Sequence, residues 1–146
     1  GNFVQVIWCD QRAFKEESST LRAQLEEATR LPAKGHKTAD KCIRLLQKKR
    51  RSREKAAARP LTVFLASWAN APALVEYLAE ASHVASKVVV LCDMCGSRVL
   101  ETAGRWALDF PLVDTVAASW LEAVDAAAAL TSAATAIASG QPGPSA

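Results

Sequence analysis

The stretch "KVVVLCD", residues 87–93, is a continuous β-branched apolar run. A strand with one wet face alternates apolar and polar residues. A strand that does not alternate is covered on both faces, as happens inside a parallel sheet flanked by helices. This run therefore asks for helices on either side of a sheet, and the rest of the chain alternates in a way that provides them. "FVQVIW" (3–8) predicts a first strand, and "KGHKTA" (34–39) predicts a weak polar strand fit only for an edge. "LTVFLASW", from Leu61, predicts a third strand, and residues 110–116 a short last one.

Helical patterns fill the gaps. Phe14, Leu21, Leu25 and Ala28 fall on one stripe, with Ser18 at the same spacing. Pro32 ends that helix, because proline biases the preceding residue away from the helical region. Cys42, Leu45 and Leu46 predict the inward side of a second helix, which "QKKRRSREKAAAR" extends without an apolar face, as a solvated projection. Pro72 fits the first turn of a third helix that buries Leu74, Val75, Leu78 and Ala81. A fourth carries Val99, Leu100, Ala103 and Ala107. A fifth, capped by Ser119 or Thr115, turns Leu121, Val124 and Ala128 inward. The βα unit thus occurs five times, which predicts a doubly wound parallel α/β sheet of order 2-1-3-4-5 with helices on both faces. The expected organisation is one α/β domain over residues 1–139, with a Gly/Pro/Ser-rich tail at 140–146 expected to be disordered.

Composition agrees with this reading. The chain has 146 residues, of which 50% are hydrophobic and 23% charged. That is long enough to bury roughly 68–70% of its unfolded surface without staples. No apolar run approaches the length of about 18 residues that a membrane helix needs. No secretory signal opens the chain, and Gly1 fits a segment cut from a longer protein. Four cysteines, on or beside strands, suit a reducing, cytoplasmic setting better than a secreted disulfide scaffold. Charge is unevenly spread. Residues 34–59 hold eleven Lys/Arg against Asp40 and Glu54, a net +9, whereas the remainder holds seven against thirteen acids, a net −6.

In such a sheet, ligands bind beyond the carboxyl ends of the strands. Here those ends read Cys9-Asp10, Ser67-Trp68 and Cys92-Asp93. The opening "VQVIWCDQRAFKEESSTLRAQLEE" resembles that of a response-regulator receiver domain, with an apolar strand, an acidic position and a helix ending Leu-Glu-Glu. "TADKCIRLL" is similar to the family's second strand running into a helix. "VFLASW" lies where the family has its phospho-accepting strand, and Ala103-Gly104 resembles the close of its fourth helix. The resemblance spans residues 3–138, with an insertion near 47–60.

The resemblance implies a Mg²⁺ site built on strand-end acids, an attacking aspartate, a hydroxyl after strand 4 and a lysine after strand 5. This chain departs at each place. Cys9 replaces the first acid and leaves Asp10. Ser67 stands at the phospho-acceptor, Cys92 at the hydroxyl, and Val113-Asp114 at the lysine position, no lysine following Lys87. Mg²⁺ wants oxygen ligands in octahedral array, and serine is a weak nucleophile without a neighbouring base. The resemblance therefore implies a degenerate, non-catalytic pseudo-receiver: a regulatory module that contacts a protein partner or a neighbouring domain, with no cofactor and no metal. A homodimer is left open.

Two other readings start from residues outside that comparison. Cys92 and Cys95 form a Cys-x-x-Cys, a redox motif where a helix N-terminus lowers the thiolate pKa and half of a zinc site. Cys9 is expected near them across two strands. Lys48, Lys49, Arg50, Arg51, Arg53 and Lys55 form a basic segment that could neutralise phosphates of a nucleic acid or an acidic partner, or act as a nuclear signal. It lacks the aromatics that stack on bases. Asp93 is a solvated strand-end acid or a replacement carboxylate for Asp10. Trp68, Trp106 and Trp120 are expected as core or interface anchors. No Walker loop, G-x-G-x-x-G or Ser-His-acid arrangement occurs.

Overall fold

The third strand, "LTVFLAS", shows how the sheet comes to be covered on both sides. Its side chains alternate, so Phe64 and Ala66 enter one apolar core while Val63 and Leu65 enter another. The computed structural model describes residues 4–53, 61–82 and 84–138. Among them, five strands form one parallel sheet: β1 (Val4–Cys9), β2 (Ala33–His36), β3 (Leu61–Ser67), β4 (Ala85–Leu91) and β5 (Val113–Ala117). Their order is β2-β1-β3-β4-β5, the doubly wound topology expected from the βα alternation. The intervening helices are α1 (Ser19–Thr29), α2 (Ala39–Arg53), α3 (Ala71–Glu80), α4 (Ser97–Ala107) and α5 (Trp120–Ala138).

Two helices cover one face and three the other. Leu25 of α1 and Ala123, Val124 and Ala127 of α5 close over Val6, Trp8, Val63, Leu65 and Val89. Cys42 and Leu46 of α2 and Leu74, Val75 and Leu78 of α3 close over Ile7, Cys9, Phe64, Val88 and Val90, with Trp106 of α4 packed at the margin. Fully burying one such aliphatic or aromatic side chain contributes about 1.5–3 kcal/mol.

Several expected helix faces are rotated. Phe14 is exposed because residues 10–15 form turns rather than helix: Ala13 N–H donates to Asp10 O and Lys15 N–H to Arg12 O. Ala13 is buried in its place. It approaches β2 so closely that a Cβ added at Gly35 would lie 3.1 Å from the Ala13 Cβ. On α1 the buried position is Thr29, not Ala28. On α4 only Ala103 is buried, and Val99 is exposed. On α5, Leu121 is 69% exposed while Ala123 is buried. That helix is so rich in alanine that one face is scarcely more apolar than the next. Ser119 does cap it: its Oγ accepts from Glu122 N–H while the Glu122 carboxylate accepts from Ala118 N–H.

The basic stretch continues α2 in helical form as far as Arg53. Lys55, His83 and the 140–146 tail lie outside the described residues. No described helix is long and apolar enough to cross a membrane.

The start of α2 is tied to the tip of β3 by Asn70, which is 8% exposed. Its Oδ1 accepts from Ala39 N–H at 3.0 Å, and its Nδ2 donates to Ser67 Oγ at 3.1 Å and to Lys37 O at 3.3 Å. Asn70→Ala would leave the buried Ala39 N–H without an acceptor. It should lower stability by about 2 kcal/mol, read as a shift in the urea midpoint with an unchanged slope.

Candidate functional site

Register decides which residues meet at the carboxyl edge. Cys9 is opposite Ala66 and His36, Ser67 is opposite Leu91, and Leu91 is opposite Ala117. Just beyond these pairs, the chain turns at Asp10, Trp68 and Asp93 around a cleft of about 410 Å³, lined also by Lys15, Ser67 and Cys95.

One residue organises that cleft, and it is Arg12. The β1–α1 loop folds back on Asp10: the Arg12 backbone N–H donates to Asp10 Oδ1 at 3.0 Å, the local turn that aspartate favours. The guanidinium then grips the same carboxylate side-on, with Nε to Oδ1 at 3.1 Å and Nη2 to Oδ2 at 2.8 Å. Its remaining arm donates from Nη1 to Asp93 Oδ2 at 3.2 Å. Asp10 is 1% exposed, so its charge is tolerable only because charge-assisted bonds reach both oxygens. The hydrogen bonds with Asp10 hold Arg12 protonated well above its ordinary range, against the opposing effect of burial.

The sequence-predicted residues separate into groups. Asp10, Ser67 and Asp93 meet at the cleft, and Asp10 and Asp93 share one guanidinium. Ser67 Oγ accepts from Asn70 Nδ2, a structural contact, and no base is placed against it among the described hydrogen bonds. Cys9 is turned away. It is fully buried in the core beneath α2, and its thiol partner is Cys42 rather than Cys92. Hydrogen bonding to Cys42, followed by burial, pushes the Cys9 thiol far up from its ordinary value.

Asp114 requires a correction. It lies at the amino end of β5, exposed, with Thr115 Oγ1 donating to it at 2.7 Å. The carboxyl end of that strand reads Ala117-Ala118. The strand begins at Val113, one residue before Asp114, and the ladder shifts register there: Val88 pairs with Val113 but Val89 pairs with Thr115, so Asp114 is skipped, as in a β-bulge.

The receiver resemblance implies a Mg²⁺ site, and the donor set does not fit one. Both carboxylates at the cleft are engaged by an internal cation, the other strand-end residue is a hydroxyl bonded to Asn70, and Cys9 faces the core. Among the described residues no three His, Cys, Asp or Glu side chains are grouped to hold a metal.

The Cys-x-x-Cys pair straddles the rim. Cys92 is buried and Cys95 is half-buried on the cleft wall. Burial and then the hydrogen bond with Cys95 push the Cys92 thiol up to about 12. At neutral pH it is therefore a protonated thiol. Iodoacetamide at pH 7 should modify Cys95 in the folded protein and leave Cys9, Cys42 and Cys92 unmodified until denaturant is added. Peptide mass spectrometry checks this, and equal labelling of Cys92 and Cys95 would indicate a reactive dithiol.

The aromatic residues pair as anchors. Trp68 meets Trp106 edge-on at 5.3 Å between ring centroids, and Trp106 meets Phe110 at 5.1 Å. Trp120 packs on Trp8 and donates from Nε1 to Gln24 at 2.9 Å. Two functional positions were missed in the sequence, Arg12 and Asn70. The Asp-x-Arg spacing in a glycine-free loop was a usable signal for Arg12. Nothing local marked Asn70, whose partners in and before α2, Ala39 and Lys37, lie more than thirty residues away.

No protein-family model matches the sequence, and no curated protein matches it.

Proposed function

We propose that this chain is a non-catalytic regulatory module of pseudo-receiver type, which works through contacts with a protein partner or a neighbouring domain. The observation that carries the reading is the guanidinium of Arg12 lying between Asp10 and Asp93 at the carboxyl edge of the sheet. A cation that belongs to the chain itself occupies both acids, so the edge is built for permanence rather than for cycling between two charge states. Incubation with acetyl phosphate and Mg²⁺ should leave the mass of the intact protein unchanged. A labile phosphate on Asp10 or Asp93 would overturn the reading.

The contact surface in this proposal is the α4–β5 side. Helix α4 buries only Ala103, and Val99 and the following Leu108 are exposed, Leu108 at 83%. A helix that invests so little in its own core has apolar surface to give to a neighbour. Leu108→Lys should leave the melting temperature unchanged while weakening the partner's binding. A partner that binds the variant as tightly as wild type would remove this face from the proposal.

The thiol reading is the weaker one. A redox dithiol needs a thiolate at physiological pH, and burial of Cys92 works against that.

A further inference from the structure

A second concave site lies at the other side of the sheet edge and shares no lining residue with the Asp10 cleft. It measures about 640 Å³ and is bounded by His36 from β2 and by Lys41, Arg44, Leu45, Gln47 and Lys48 from α2. Lys41, Arg44 and Lys48 follow the three-and-four spacing that puts side chains on one face of a helix. All three are exposed. Among the described residues, none in the lining is acidic. His36 and Lys34 alternate with the buried Ala33 and Gly35 along β2, so they point to the α2 side of the sheet. The His36 Nε2 is buried with no hydrogen-bond partner. Burial first, and then the nearby charges of Lys49 and Lys34, disfavour its protonated form.

A concavity lined by charges of one sign concentrates counter-ions of the other. Its volume lies within the range of small-ligand sites, roughly 300–1,000 Å³. The charge type narrows the ligand further. Arginine's planar fork grips two oxygens of a phosphate or carboxylate, and lysines add point charges on either side. Three cations a turn apart match a ligand whose negative charge is concentrated and extended. Among the described residues the lining has no aromatic side chain besides the His36 imidazole to stack on a nucleobase.

We infer that the groove between His36 and the Lys41–Arg44–Lys48 face of α2 binds a small molecule bearing contiguous phosphates, a diphosphate or triphosphate group. Arg44 takes the bidentate contact, Lys41 and Lys48 flank it, and His36 forms the inner wall. The ligand is recognised by its phosphates, and whatever they are attached to projects outward. The site goes beyond the protein-contact role proposed above and does not depend on it.

Isothermal titration of the whole chain with inorganic triphosphate at physiological salt tests the inference. Saturable one-to-one binding is expected. Arg44→Gln with Lys48→Gln should weaken it by on the order of 10-fold for each cation removed. Arg98→Gln, which removes an exposed cation on α4, should change nothing. Both changes in the groove are at exposed positions, so matching melting temperatures establish that the variants are folded. Absence of saturable binding would overturn the inference, as would equal affinity for sulfate or an undiminished affinity in the double variant. A short single-stranded RNA that binds more tightly than triphosphate, and loses that binding in the double variant, would also overturn it in favour of a nucleic-acid surface.

Discussion

Replacing Arg12 by methionine should lower folding stability at neutral pH by about 3–5 kcal/mol, the usual cost of removing one partner from a buried ion pair. The magnitude follows from where Asp10 sits. It is 1% exposed, and three of the hydrogen bonds it accepts come from Arg12, one from the backbone and two from the guanidinium. The methionine side chain keeps the apolar stem and removes the charge. Asp10→Asn combined with Arg12→Met should recover much of the stability, giving a large coupling in a double-mutant cycle. Mg²⁺ should raise the melting temperature of Arg12→Met, where two carboxylates lack their cation, and leave wild type unmoved. Urea titration measures the first effect. A loss below about 1 kcal/mol would place the pair among solvated surface bridges and sink the account.

The second large effect is expected at Trp8. Its side chain is fully buried beneath α1 and α5, against Trp120 at 5.4 Å between centroids. Trp8→Ala removes the largest side chain of that core and should cost about 3–5 kcal/mol. Trp8→Phe should cost less than about 1.5 kcal/mol. The difference is more than one of volume. The indole Nε1 of Trp8 is buried with no hydrogen-bond partner, so tryptophan carries a desolvated donor into the native state. Phenylalanine leaves a smaller void and no orphaned donor, and the second effect offsets part of the first. Phenylalanine costing as much as alanine would mean that the indole N–H has a partner worth keeping.

Topology was legible because parallel strands and their helices announce themselves over many residues. The β-branched run at Val88–Val90, the edge-like polarity of "KGHKTA" and the Pro72 start of α3 each reflect a constraint that acts locally. Where local contrast was low, phase was lost. α5 is mostly alanine, so its inward face was set by Ala123 and Ala127 fitting the sheet, and Leu121 was left outside. Phe14 went wrong for a different reason: the Asp10 turn interrupts the helical period before α1 begins. At the site, strand-end identities could be read directly, because the residue after an apolar run is easy to find. Their partners could not. Arg12 reaches Asp93 across 81 positions, and Asn70 joins β3 to α2 across 31, distances over which periodicity carries no information.

The bulge at Asp114 has a consequence for how these molecules behave in company. A parallel sheet of five strands has two open borders, each a row of unpaired backbone groups able to recruit another chain. β2 limits its border by being four residues long and by carrying the exposed Lys34. β5 limits the other by a shift in register and by the exposed carboxylate of Asp114 near its amino end. A charge at that position disfavours edge-to-edge pairing with another chain. A protein that hides two acids behind its own arginine at the carboxyl edge keeps an exposed one where crowding would otherwise turn a border into a seed.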